Sequence, residues 1–276
     1  MPNDILMVYS SPKSPERVDE YNQWYNDFHL RQMLKLDGIV AVTRYLLSRI
    51  QTEWYPPMAD VPDWPYGTHP YLAIYEIDRR IGISTVLATI GSSEELRQSA
   101  DPSADPVTWG EQWCYEIYAE RELSFQLDSG PRQPVDRNAH PPAIWLVPTT
   151  PISADGENEY HKWYNLQGVL RNDGFEAISR YKLSRTQGRI DSRAPEPTGE
   201  WPHNQHHFLA LWEVSDVYRA WSSRRRSRDA TGAAPRAGGV RYPWMASWPS
   251  LHHADKHIFY EPVTRRVVSP WLDLRT

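Results

Sequence analysis

His29 is the residue whose type and position in the sequence best suit proton-transfer chemistry. It follows Tyr25 by four residues in an amphipathic segment, so an α-helix would place both side chains on one face. A histidine has an unperturbed pKa of about 6.5 and can give and take protons at neutral pH, and burial beside a tyrosine hydroxyl can tune that pKa. The spacing therefore makes His29 and Tyr25 candidate catalytic residues, and the family resemblance given below favours that role. The alternative is a hydrogen-bonded, inert histidine at the edge of the helix.

Aromatic side chains and one arginine are candidates for holding a substrate. The chain contains 13 Trp and 16 Tyr but 5 Phe, and rings with a polar group suit cavity walls that also form hydrogen bonds. Arg44 could bind a substrate carboxylate through two nitrogens, although an arginine recurs at the equivalent Arg180, which favours a structural ion pair. Ordinary core packing is the alternative for the rings. The predicted substrate-binding residues are Trp24, Tyr45, Tyr75, Trp113 and Arg44.

The remaining histidines are numerous enough for a zinc or iron site, but their spacing matches no familiar ligand pattern. The sequence has no H-E-x-x-H and no C-x-x-C motif, so we predict neither a metal nor another cofactor. It also lacks a P-loop, a G-x-G-x-x-G sequence after a strand and a G-x-S-x-G elbow, which disfavours nucleotide-dependent and serine-hydrolase chemistry. The histidines concerned are His161, His203, His206, His207, His252, His253 and His257.

Composition limits the partners of the protein. The formal net charge is -5 and the isoelectric point is about 6.1, which gives no electrostatic footprint for nucleic acid or for an anionic membrane. The single Cys114 excludes an intrachain disulfide, and no signal peptide or membrane-spanning stretch is recognisable. We therefore predict a cytoplasmic protein whose partners are small molecules or proteins; a small hydrophobic aromatic substrate is what the family resemblance described below implies.

Apolar patterning predicts the order strand, helix, strand, strand, helix, strand in the first half of the chain. The first helical stripe ends at Asp37-Gly38, where glycine can take the left-handed conformation that ends helices. The strands are short apolar or β-branched runs. The predicted ranges are 5–9, 16–36, 39–50, 71–77, 81–100 and 113–125.

The second half of the chain repeats the first. Residues 20–45 and 159–181 both contain Trp-Tyr-Asn, then Asp-Gly, then Arg-Tyr, and the repeats match at offsets of 139, 136 and 137 residues in successive elements. Leu166-Gln167-Gly168 stands where a second histidine would fall. The predicted domains are residues 1–128, which carry His29, and residues 143–276, joined by a linker at 129–142.

The repeated element order predicts an α+β architecture. A βαββαβ unit is the ferredoxin-like motif, and the bare face of its sheet must be covered. Two ferredoxin-like repeats would therefore pack sheet to sheet as an intrachain α+β barrel with the helices outside. The sequence W-Y-N-x-x-H at residues 24–29, followed by Gly38 and Arg44-Tyr45, resembles the EthD-like branch of the dimeric α+β barrel superfamily, here as a tandem duplication in one chain.

That resemblance implies a class of activity. Enzymes of the superfamily often act without cofactors on hydrophobic aromatic or polyketide-like compounds, some members bind haem, and a homodimer is compatible with it. With the residues above, it predicts a cofactor-independent lyase (a decarboxylase, dehydratase or cyclase) in which His29 moves a proton next to a carbonyl or phenol. The alternatives are a non-catalytic small-molecule binding protein and a cofactor-free monooxygenase.

Overall fold

The computed structural model describes most of the first half of the chain and the strands of the second half. The described residues are 3–50, 69–93, 96, 106–122, 138–151, 158, 161, 174–184, 208–222, 251–253 and 258–270. In this part of the chain the strands are β1 (Asp4–Pro12), β2 (Ile39–Leu47), β3 (Tyr71–Ile77), β4 (Val107–Glu122), β5 (Ala143–Pro151), β6 (Phe175–Leu183), β7 (Phe208–Val214), β8 (Leu251–His253), β9 (Ile258–Pro262) and β10 (Val267–Val268). The helical elements are a 3-10 turn (Pro15–Arg17), α1 (Val18–Trp24), a π segment (Tyr25–His29), α2 (Leu30–Met33) and α3 (Ile83–Ser92).

Eight of these strands close into an antiparallel β-barrel. Around the barrel the order is β2, β3, β1, β4, β6, β7, β5 and β9, and β9 pairs again with β2. Strands β8 and β10 add to β5 and β2. Closure gives every barrel strand two neighbours, which removes the open edges that favour aggregation. The prediction of an α+β protein built on a barrel is confirmed.

The two halves of the barrel use the same pairing scheme. The order β2-β3-β1-β4 in the first half corresponds to β6-β7-β5-β9 in the second. The registers correspond as well, because Asp4 lies opposite Ile77 where Ala143 lies opposite Val214. The β2–β3 and β6–β7 pairs also share a register irregularity just after their first residue pair. The two four-stranded halves of the barrel therefore match in strand order and in these registers.

Alternation along each strand divides the side chains between the barrel interior and an outer layer. The interior is filled by a buried cluster from all eight strands that includes Met7, Leu72, Trp113, Leu146 and Tyr260. The outer face of the first half packs against the helices, whose buried residues include Tyr21, Tyr25, Leu30, Met33 and Val86. The outer face of the second half carries packed aromatic rings, among them Trp145, Phe175, Trp212 and Phe259.

The first helical region ends where the sequence places Asp37-Gly38. Gly38 has a φ of 92°, so its predicted left-handed conformation is confirmed. A Cβ atom at this position would lie 2.6 Å from Cγ2 of Val86 in α3. The prediction of one regular helix over residues 16–36 is wrong, because the π segment interrupts it and α2 ends at Met33.

The remaining helical predictions are described in part. Helix α3 spans Ile83–Ser92 within the predicted range 81–100, and residues 217–222 are helical at the corresponding place in the second half. The stretch 51–68 and the substituted Leu166-Gln167-Gly168 lie outside the described residues. Within the described part of the chain, no helix is long and apolar enough to cross a membrane.

Candidate active site

The π segment sets the position of His29. The N–H of Leu30 donates to the carbonyl oxygen of Tyr25, five residues earlier, so this turn holds one residue more than an α-helical turn. Residues five apart are thereby brought together, and the indole of Trp24 stacks on the His29 ring with centroids 5.1 Å apart and planes at 14°. Single π turns in helices occur frequently at functional sites.

Three aromatic rings surround the imidazole of His29. Besides Trp24, the Tyr25 ring meets it edge to face at 4.9 Å, and the indole of Trp109 in β4 lies at 5.2 Å. Trp109 is 37% exposed and Phe28, next to Trp24, is 44% exposed. We call these five residues the aromatic cluster. It is open to solvent on one side and offers apolar ring surface beside one imidazole.

The imidazole of His29 is neutral at physiological pH. Its Nδ1 atom is shielded from solvent and has no hydrogen-bond partner among the described residues. Burial, assisted by the positive charge of Arg44, lowers the pKa of His29 to about 3. A neutral imidazole carries a lone pair on one nitrogen and a proton on the other. A pKa of about 3 favours His29 as a proton acceptor at neutral pH, which corrects the expectation that it both gives and takes protons near neutrality.

Arg44 lies buried on the outer face of β2 beneath the aromatic cluster. Its Nη1 donates to Oδ1 of Asn26 at 2.5 Å and its Nη2 to Oδ1 of Asn22 at 3.0 Å. Its Cζ atom lies 4.1 Å from the centroid of the Tyr25 ring, a cation–π contact. Among the described residues its hydrogen-bond partners are amides and not carboxylates. Arg44 is 1% exposed, so its charge acts on the cluster from below, and both the ion pair and the bidentate contact with substrate stay predictions.

Tyr25 contributes its ring to the site and directs its hydroxyl elsewhere. The hydroxyls of Tyr25 and Tyr75 share a hydrogen bond of 3.0 Å in the layer between helix and sheet. Burial raises the pKa of both phenols well above the ordinary value. Both tyrosines therefore stay protonated at neutral pH. Tyr25 forms a wall beside His29, and its hydroxyl is bonded to Tyr75 rather than to the imidazole.

The seven residues predicted for the site lie on two opposite faces of the sheet. Five of them lie together in the layer between the helical region and the outer face of the sheet: His29, Tyr25, Trp24, Tyr75 and Arg44. The other two predicted residues, Tyr45 and Trp113, point into the barrel interior. Neighbouring residues of a strand face opposite sides, which separates Tyr45 from Arg44. The structure therefore divides the seven residues between two places, and the substrate-binding roles of Tyr45 and Trp113 stay predictions.

Sequence reasoning missed three residues that shape the site. Trp109 lies ahead of the strand predicted from residue 113, whereas β4 begins at Val107. Asn22 and Asn26 are four residues apart and both accept from Arg44, a spacing that places two side chains on one helical face. That spacing, followed by Arg44 on the next strand, is the sequence pattern that could have indicated an amide pair bound to the arginine.

The buried arginine of the second half has a histidine as its partner. Nη2 of Arg180 donates to Nδ1 of His161 at 2.7 Å, and His161 occupies the position that corresponds to Asn22. No group of three or more potential metal ligands occurs among the described residues. His203, His206, His207 and His257 lie outside that part of the chain, as do the side chains of His252 and His253.

Several solved structures are similar to this chain over nearly its whole length. They include an anthrone oxidase-like protein, with a TM-score of 0.48, 11% identity and coverage of 97% of this chain and 94% of that chain. A heme-bound DypB variant from Rhodococcus jostii has a TM-score of 0.47 and 10% identity, with coverage of 97% of this chain and 93% of that chain. A dye-decolorizing peroxidase from Bacteroides thetaiotaomicron has a TM-score of 0.44 and 10% identity, with coverage of 98% of this chain and 94% of that chain. No protein-family model and no curated protein matches the sequence. At these scores and identities the similarities carry no conclusion about activity.

Proposed function

We propose that this protein is an enzyme that holds a planar aromatic small molecule against the aromatic cluster and uses neutral His29 to accept a proton from it. The observation that carries this proposal is the position of the imidazole. It lies between the rings of Trp24, Tyr25 and Trp109, and the guanidinium of Arg44 is buried nearby. Apolar walls around one polar group are typical of small-molecule sites.

In the proposed reaction the lone pair of His29 takes a proton from an acidic O–H or C–H next to a carbonyl or phenol. The electron pair of that bond stays on the substrate and spreads over the ring and oxygen, and the charge of Arg44 favours the resulting anion. In a dehydration the pair then forms a carbon–carbon double bond and expels hydroxide. The imidazolium returns its proton to that hydroxide, and water leaves.

The low pKa of His29 still permits turnover. Transfer of a proton from a phenol with a pKa of about 10 to a group with a pKa of about 3 is uphill by roughly 10 kcal/mol. A barrier of that height alone allows roughly 10⁵ to 10⁶ events per second, above typical turnover numbers. An anion beside the imidazolium lowers the cost further.

A lyase fits these properties best among the three activities. An imidazolium with a pKa of about 3 is a strong acid, so it returns its proton readily to a leaving group or a carbanion. Decarboxylation, dehydration and cyclisation each need that return. A cofactor-free monooxygenase would begin with the same anion but pass it to oxygen, and a binding protein would form no product.

We further propose that the chain is a tandem duplication of ferredoxin-like units, related to the EthD-like branch of the dimeric α+β barrel superfamily. The matching registers of β1–β3 and β5–β7 support this reading. Residues 1–128 and 143–276 are then the two units, joined at 129–142, and the β4–β6 and β2–β9 pairs close the barrel between them. The two units produced as separate chains are expected to form a one-to-one complex, and two non-interacting chains would contradict these bounds.

The activity is tested on the full-length protein with fused-ring phenols, hydroxynaphthoates and hydrated fused-ring ketones, with product and oxygen uptake measured under air and under nitrogen. Expected is product formation without oxygen uptake and a loss of at least about 100-fold in turnover for His29→Gln. Asp27→Asn, an exposed position in the same π segment, is the matched control and should retain turnover. Unchanged turnover in a folded His29→Gln protein would overturn the role of His29. Oxygen uptake equal to product would indicate a monooxygenase, and tight binding without product a binding protein.

A further inference from the structure

Two polar atoms in one turn of the first helical region are buried without a hydrogen-bond partner in the described part of the chain. They are Nδ1 of His29, in the aromatic cluster, and Oε1 of Gln32, three residues later. Gln32 is 6% exposed. Buried polar atoms in folded proteins are nearly always paired, and an unpaired one destabilises the fold. Two such atoms within a single turn therefore call for a common explanation.

Helix geometry directs these two side chains towards each other. The backbone angles of His29 (φ -62°, ψ -45°) and Leu30 (φ -59°, ψ -39°) are α-helical, so the turn that follows the π segment is regular again. Residues three apart in an α-helix have Cβ atoms about 5–6 Å apart. A helical side chain also leans over the turn that precedes it, which brings the Gln32 amide towards His29. Nδ1 is the ring nitrogen nearer the helix backbone, so it is the nitrogen within reach of that amide.

We propose that Gln32 is a positioning residue for His29, and that its Oε1 accepts a hydrogen bond from Nδ1–H when an aromatic ligand occupies the aromatic cluster. This bond pairs both buried atoms at once. It fixes the proton of the neutral imidazole on Nδ1, because the hydrogen bond made by one ring nitrogen decides which tautomer is present. The lone pair then lies on Nε2, at the tip of the ring, where the ligand meets it. For its role in turnover, this inference rests on the proposed proton transfer to His29.

Ligand binding gives a reason for the two atoms to pair. Phe28 and Trp109 are the most exposed rings of the aromatic cluster, at 44% and 37%, so a planar ligand packs against them and removes water from this turn. A hydrogen bond is stronger where water is excluded, and hydrogen bonds at reactive groups are often open in an empty site and tighten in the complex. The two unpaired atoms of the free protein are then satisfied in the complex, which adds to the affinity for the ligand.

The first test is the ¹⁵N NMR spectrum of the His29 ring in the full-length protein with saturating 2-naphthol. In the wild type the proton is expected on Nδ1 and the lone pair on Nε2. Gln32→Met keeps the length of the side chain and removes the acceptor, so the Nε2–H tautomer should gain roughly threefold to tenfold in relative population. A proton on Nε2 in the liganded wild type, an unchanged tautomer ratio in Gln32→Met, or ring shifts that do not respond to 2-naphthol would overturn the proposal.

Stability measurements and a matched control accompany this test. Gln23 is an exposed glutamine of α1, so Gln23→Met should leave the tautomer ratio of His29 at its wild-type value. Gln32→Met replaces an unpaired buried acceptor by an apolar group of similar shape, so the urea midpoint of the free protein should stay at or above that of the wild type. A lower midpoint, or a variant that does not fold, would mean that the amide serves the free fold and would contradict the proposal.

Turnover separates this inference from the proposed function. In Gln32→Met, kcat should fall in proportion to the loss of the Nδ1–H tautomer, by up to roughly tenfold, with KM little changed. The tautomer ratio itself is measured without turnover. If that ratio shifts in Gln32→Met while His29→Gln keeps full turnover, the proton transfer is refuted and the positioning of His29 by Gln32 stands. If the ratio and kcat are both unchanged in Gln32→Met while His29→Gln is inactive, the positioning role is refuted and the proton transfer stands.

Discussion

Replacing His29 by glutamine should remove a pH-dependent loss of stability from the folded protein. The pKa of His29 is about 3 in the folded chain and about 6.5 in an unfolded chain, so the unfolded state binds more protons below neutrality. Stability from this group is complete above about pH 6.5 and is lost as the pH falls towards 3. Between about pH 7 and about pH 5 the loss reaches up to about 2 kcal/mol. The figure is an upper value, because His29 remains partly exposed.

The assay is urea unfolding of the wild type and of His29→Gln at about pH 7 and about pH 5. The variant is expected to gain up to about 2 kcal/mol relative to the wild type on acidification. His140→Gln, at an exposed position, is the matched control. Its free energy of unfolding should differ from that of the wild type by the same amount at both pH values. If the wild type and His29→Gln show the same pH dependence, the imidazole is not held neutral and the reasoning about this site fails.

The remaining predictions concern packing around the site. Gly38→Ala should lower the free energy of unfolding by about 1–3 kcal/mol, because its Cβ meets Val86 and its φ is 92°. Gly82→Ala, with a φ of 83° and open space, should cost about 1–2 kcal/mol. A wild-type urea midpoint in either variant would contradict this. Arg44→Met should destabilise by about 1–3 kcal/mol, because it leaves the half-buried amide oxygens of Asn22 and Asn26 without this donor. It should also raise the pKa of His29 measured by NMR, and an unchanged pKa would refute the electrostatic link. Tyr75→Phe should cost about 1 kcal/mol in thermal unfolding through loss of its bond to Tyr25, and no loss would show that bond to be weak.

Much of the fold could be predicted from apolar patterning and the order of its elements. The apolar or β-branched runs predicted at 5–9, 39–50 and 71–77 match β1, β2 and β3 closely. The left-handed conformation of Gly38 followed from the place of the glycine after an amphipathic helix. The π segment was not predictable from apolar spacing, because a single inserted residue changes that spacing too little.

The candidate site could be predicted only in part. The helical spacing placed His29, Trp24 and Tyr25 near one another. It could not show whether Tyr45 and Trp113 face the barrel interior or the outside, since a shift of one residue moves every side chain of a strand to the other face. The low pKa of His29 depends on burial among rings that include the distant Trp109 and on the positive charge of Arg44. Such long-range packing has no signature in local composition.

The most direct test of the central claim is the ¹⁵N NMR spectrum of the His29 ring at about pH 6, with and without bound 2-naphthol. The structure predicts a neutral imidazole in the free protein and a change in the shifts of its ring nitrogens when the phenol binds. It also predicts that the same ligand leaves His161, which is bonded to Arg180, unaffected. A charged imidazole in the free protein, or ring shifts that do not respond to the bound phenol, would contradict the account.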